Sequence, residues 1–180
     1  RQQPVRAVVH GPGVVVAGGI LEAPTEAITR SVDIKVGGLL RMVRAADPHL
    51  GEGSRIIAIA GHYGLEPSPY AATAGIANAA VFAVVRQLSQ ALGDRGITAH
   101  TLAPGPADTP RLRRVAAARA ARDGITVYEV LDQMRSDSSV GRFTTAEQVA
   151  WAVTTLLSPE ATAMTGSTWM LDAGRRRGLP

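Results

Sequence analysis

Two spacings of apolar residues alternate along the chain. Val14-Val15-Val16-Ala17 is a compact apolar run ending in Gly18-Gly19, the mark of a buried strand stopped by a glycine turn. From Thr25 to His49, Ile28, Val32, Val36, Leu39, Leu40 and Val43 recur every three to four positions, which predicts a helix. Arg55 to Ala60 is a second strand, halted by Gly61, and Ala71 to Leu92 is a long Ala-rich helix. That helix is apolar on more than one face, so it packs against both a sheet and a neighbour. Gly96 to Ala103 is a third strand, closed by Pro104-Gly105-Pro106. Pro110 to Val140 predicts two helical pieces around Gly124, and Thr144 with Glu147 a capping box for a helix through Leu157. Ser167 to Leu171 is a fourth strand.

Strands separated by helices imply an α/β fold, a Rossmann-like parallel sheet with flanking crossover helices. A length of 180 residues suits one domain, with no linker or repeat to divide it. With no cysteine there are no disulfides or thiolate metal sites. The four histidines are too scattered for metal-ligand spacing, so no metal is expected. No apolar run approaches the ~18 residues that span a membrane, and no signal peptide is legible, so a cytoplasmic protein is expected. The net charge of +4 raises nucleic acid as a partner. The arginines are spread along one helical stretch and the C-terminal tail, however, and aromatics make up only 4%. Neither a stacking platform nor a recognition helix is present, so no nucleic-acid partner is expected.

Several short motifs stand in a telling order. They are Tyr70-Ala71-Ala72-Thr73-Ala74, Arg95-Gly96-Ile97, Pro104-Gly105-Pro106-Ala107-Asp108-Thr109, Gly141-Arg142-Phe143 and Thr165-Gly166-Ser167. In this order and at these separations they resemble the short-chain dehydrogenase/reductase family across essentially the whole chain. The resemblance lacks the family's N-terminal strands and the Gly-rich phosphate turn, which would place the pyrophosphate of NAD(P) at a helix N-terminus. His10-Gly11-Pro12-Gly13 reads as a turn, not a phosphate cradle. No cofactor is therefore expected for this chain, whereas NAD(P) follows from the family if an N-terminal part exists. By resemblance, Ala17, Gly18, Pro104, Gly105, Ala107 and Thr109 would lie along the cofactor.

The resemblance also implies a catalytic set: a Tyr, a Lys four residues later on the same helix face, a Ser at a strand end, and an Asn on the earlier helix. Here the Tyr position reads Tyr70 and the Lys position Ala74. The Ser position falls in Ala60-Gly61, and the Asn position on Lys35, the one lysine of the chain. The family's Asn-Asn-Ala-Gly reads Val16-Ala17-Gly18-Gly19. His62, next to the Ser position, is a stand-in candidate, against the plainer reading of a loop residue shaping the pocket.

Three functions stay open. One is a degenerate, non-catalytic or structural subunit, assembled as a homo-oligomer or with a paralogue. Another is an NAD(P)-dependent oxidoreductase acting on a carbonyl or hydroxyl substrate. The third is a non-redox isomerase or lyase, with Lys35 lowering the pKa of Tyr70.

Overall fold

The computed structural model describes residues 4–13 and 18–178. Four parallel strands lie side by side in chain order: β1 (Ala7–His10), β2 (Arg55–Ile59), β3 (Thr98–Pro104) and β4 (Thr168–Leu171). Alternation along β2 defines the two layers. Ile56 and Ala58 face a core with Val8, Leu39, Val43, Val81 and Val85, beneath helices α2 (Gly38–Ala46) and α3 (Ala72–Leu92). Ile57 points the other way, with Leu102 into a second core against Ala152 of α6 (Ala146–Thr155) and Leu156 just beyond it. A central strand buried on both faces is what a parallel sheet covered by helices requires.

Strand β1 differs from the expectation. The sequence reading passes over Ala7–His10 and puts the first strand at Val14–Ala17, which lies outside the described residues. Paired Ala7 to Arg55 and His10 to Ala58, β1 is the edge of the sheet among the described residues. Its side chains alternate, with Val8 and His10 buried and Val9 40% exposed. A four-residue strand with one uncovered face shows a weaker apolar run than Val14-Val15-Val16, which is why periodicity misses it.

Residues 25–46 form one continuous helical course: α1 (Thr25–Val32), a π-helical turn over Asp33–Gly37, and α2. The backbone stays right-handed helical through Val32, Gly37 and Gly38, so the π turn is a local widening of the helix rather than a break. Lys35 sits in it. Helices α4 (Pro110–Asp123) and α5 (Val127–Ser136) flank Gly124, whose φ of 68° is the left-handed conformation that ends α4. They share a small core of Leu112, Ala116, Ala120, Val130 and Met134. The capping box of α6 is one residue later than predicted: Thr145 with Gln148, not Thr144 with Glu147. Thr144 is instead buried, its hydroxyl donating to the Leu171 carbonyl. No helix among the described residues is long and apolar enough to cross a membrane, and no metal-binding group of His, Asp or Glu occurs among them.

Candidate active site

The C-terminal ends of β1, β2 and β3 point the same way, so the segments leaving them meet along one rim of the sheet. Those segments are His10-Gly11-Pro12-Gly13, Ala60-Gly61-His62 and Pro104-Gly105-Pro106. The Lys35 turn and the start of α3 face this rim.

Lys35 is 6% exposed, and its ammonium donates a 3.1 Å hydrogen bond to the Ile59 carbonyl at the end of β2. Burial lowers its pKa to about 8, helped by repulsion from the Arg111 guanidinium. His10, also buried, packs on Gly38, where an added Cβ would lie 2.8 Å from the ring's Nε2. Burial and the Lys35 charge together hold its pKa below the ordinary value. The guanidinium of Arg111, from the first turn of α4, lies against Gly13: a Cβ there would be 2.7 Å from Nη1.

Tyr70 is placed elsewhere. Helix α3 begins at Ala72, so Tyr70 precedes it, 70% exposed, with the Arg122 guanidinium 5.4 Å over its ring. No hydrogen bond joins it to Lys35 among the described residues. The two groups take different partners, Lys35 a strand carbonyl and Tyr70 a guanidinium.

The α3 side chain that faces Gly61 is Asn78, with its Nδ2 2.8 Å from where a Gly61 Cβ would stand. Asn78 is buried, and its Oδ1 has no hydrogen-bond partner. One turn earlier on the same helix face is Ala74. The (i, i+4) pair looking onto the strand end is therefore Ala74 and Asn78, one turn beyond the Tyr70 and Ala74 read from sequence. The signal was present, since Asn78 is the one strongly polar residue between Ala74 and Val85. Likewise, the segment following the edge strand is His10–Gly13, not the Val16–Gly19 stretch matched to the family's Asn-Asn-Ala-Gly.

His62 is buried on the far side of Gly61, its ring 4.0 Å from that of Tyr63 and its Nε2 without a partner. Burial lowers its pKa to about 4, with repulsion from Arg175 adding to this and Asp172 opposing it. It is a neutral imidazole near pH 7. The loop after β3 is tightly built. A Cβ on Gly105 would fall 2.9 Å from the Asp172 Cα, so only glycine fits. Ala107 bridges to Thr144, and Thr109 caps α4 through Leu112 N while its hydroxyl donates to the Ala107 carbonyl. Gly18 accepts from Ala72 N and so ties its segment to the start of α3; Ala17 lies outside the described residues.

The family model described as "Enoyl-(Acyl carrier protein) reductase" matches residues 2–176. The chain belongs to the short-chain dehydrogenase/reductase family, a family of oxidoreductases. It is 26% identical over 170 residues to D-beta-hydroxybutyrate dehydrogenase of Rhizobium meliloti, covering 93% of this chain and 66% of that one. It is 31% identical over 150 residues to the short-chain reductase NovJ of Streptomyces niveus, covering 80% of this chain and 54% of that one. The chain thus spans less than two thirds of the length of these relatives. Its fold matches an NADPH-bound short-chain oxidoreductase of Pseudomonas aeruginosa, described as having an atypical catalytic center. That match has a TM-score of 0.84 and 21% identity, and covers 97% of this chain and 66% of the other.

Proposed function

We propose that this chain is a short-chain dehydrogenase/reductase-like protein that does not transfer hydride and serves as a non-catalytic or structural subunit. The observation that carries the reading is the pairing of Asn78 with Gly61. With the register moved one turn along α3 from Tyr70 and Ala74, these positions, with Ala74, are the ones at which the family would carry its Lys, Ser and Tyr. An amide, a hydrogen and a methyl group leave no side chain there that exchanges a proton near neutral pH. Lys35 holds the Asn position but is bonded to a strand carbonyl.

The residues present also fit a dinucleotide poorly. The loop leaving β1 holds Pro12, which has no N–H, and the Arg111 guanidinium lies against Gly13. The Thr109 hydroxyl is engaged within its own turn. Partner burial is part of the proposal, as a homo-oligomer or with a paralogue. Val9 on the edge strand is 40% exposed and Trp151 on α6 60% exposed, apolar area that an interface would cover.

A second reading, an NAD(P)-dependent oxidoreductase acting on a carbonyl or hydroxyl, is favoured by the names of the relatives, a dehydrogenase and a reductase. Titration calorimetry with NADH and NADPH, followed by absorbance assays on small ketones, diketones and hydroxy acids, separates the two. The proposal expects neither binding in the micromolar range nor turnover. Measurable oxidation of either cofactor, dependent on substrate, would overturn it.

A further inference from the structure

We propose that Lys35 and Arg111, with His10 beside them, form a binding site for a small oxyanion, a carboxylate or phosphate, at the ends of β1 and β2. The site goes beyond the reading above, for it requires neither a dinucleotide nor its absence.

Three elements deliver the basic groups. Strand β1 ends in His10, the π turn carries Lys35, and the first turn of α4 carries Arg111. They gather around the loop that leaves β1: Lys35 bonds the Ile59 carbonyl, a Cβ on Gly11 of that loop would touch the Ile59 side chain, His10 packs on Gly38, and the Arg111 guanidinium lies against Gly13. Repulsion between neighbours follows, from Lys35 on His10 and from Arg111 on Lys35. Arg114 adds a further cation behind Arg111. No carboxylate offsets them among the described residues. Asp33, in the same helical turn, is held by Arg41, and Asp108, near the start of α4, by Arg113. Strand β2 offers only the Ile59 carbonyl, and α3 the neutral Asn78. Residues 14–17 are Val-Val-Val-Ala and contain no acid.

Such an arrangement is costly in the free protein. The cost falls on Lys35, because Arg111 is exposed at the mouth of the site: a buried charge is ordinarily paired. Here one ammonium has a single hydrogen bond, so two of its three N–H groups remain to be satisfied. The Arg111 guanidinium has no hydrogen bond or ion pair among the described residues, and its planar fork matches a carboxylate or phosphate edge. An oxyanion between the two would satisfy both and remove their mutual repulsion. The π turn at Lys35 is a second, independent mark, since such turns in α-helices concentrate at functional sites.

Lys35 is the sole lysine, so lysine labelled with carbon-13 at Cε gives one NMR signal whose pH titration reads this site alone. The midpoint is followed in chloride, then in inorganic phosphate and in acetate at matched ionic strength. The expected result is a saturable rise of the midpoint by about half a pH unit or more, as an added neighbouring anion favours the ammonium. The stronger of the two probes identifies the ligand as phosphate-like or carboxylate-like. In Arg111→Gln the midpoint in chloride rises, because a repelling charge is lost, and the anion-dependent rise shrinks severalfold. Arg113→Gln, whose partner is Asp108, leaves it unchanged. A midpoint that does not respond to either anion overturns the proposal, and so does a response equally large in Arg111→Gln.

Discussion

Asn78 and Gly61 face each other so closely that a Cβ on the glycine would stand 2.8 Å from the amide nitrogen. The space a serine needs at the strand end is already taken. Gly61→Ser is therefore expected to destabilise the protein by about 1–2 kcal/mol, the usual size of an overpacking cost. Asn78→Ala should lose stability too, but Gly61→Ser in the Asn78→Ala background should cost little more. Denaturant midpoints of the four proteins form a double-mutant cycle, and strictly additive effects would show that the two positions do not share this space.

What the sequence made legible, and what it hid, follows from the strength of each physical signal. Strands β2 and β3 are buried on both faces, so they read as continuous apolar runs, and α3 is long enough for its period to be unmistakable. The edge strand Ala7–His10 buries alternate residues over only four positions, so the stronger run at Val14 drew the assignment away from it. The Asn-Asn-Ala-Gly match at Val16–Gly19 therefore lies apart from His10–Gly13, the residues with which the chain leaves β1. At α3, Tyr70-Ala71-Ala72-Thr73-Ala74 fixed the register on the one aromatic available, although Tyr70 lies before the helix starts. Lys35 stands out in the sequence as the sole lysine, but its partner is a strand carbonyl and its neighbours are cations. Spacing along one helix carries no information about a guanidinium arriving from residue 111.

Lys35 should weaken the free fold at neutral pH. Its pKa falls from 10.5 to about 8 on folding, so between these values the unfolded chain binds more protons than the folded one, and stability rises with pH. Below pH 8 the cost is fully present, up to about 3 kcal/mol at about 1.4 kcal/mol per pH unit. Lys35→Met removes it, offset in part by losing the hydrogen bond to Ile59. The variant is expected to melt higher than the parent at pH 7 and to lose most of that advantage by pH 10. Melting curves at the two pH values check this, and a variant that melts lower at pH 7 would contradict it.

His62 and His100 predict weakening in acid. Both are buried, and burial lowers each pKa to about 4 from 6.5, with Arg175 acting further on His62 and Arg55 on His100. Their depressed folded values mean that the unfolded chain takes up protons first as pH falls. Stability is therefore unaffected by these groups above pH 6.5 and declines from there down to about pH 4. His100→Asn should flatten part of the slope of melting temperature against pH in this window. An unchanged slope in both His100→Asn and His62→Asn would remove these residues as its cause.

Arg55 joins the two ends of the second core. It is 3% exposed, and its guanidinium donates to the carbonyls of Leu156, Ser158, Gly53 and Ser54 and to the Thr162 hydroxyl. No carboxylate is among its partners in the described residues. These bonds fasten the start of β2 to the near end of the segment that follows α6, whose far end is held to β3 by the hydrogen bonds of Thr165 and Gly166 with Ala99. Arg55→Met keeps the aliphatic stem but leaves several buried carbonyls without donors, so a loss of about 2–4 kcal/mol is expected. Arg55→Lys should recover little, because one ammonium cannot reach carbonyls spread around a planar fork. Hydrogen exchange adds a local reading: amides of residues 156–166 should lose protection first in Arg55→Met, whereas a purely global loss of stability would raise exchange in β2 and β3 equally. Uniform exchange across the sheet would mean that Arg55 does not anchor this segment.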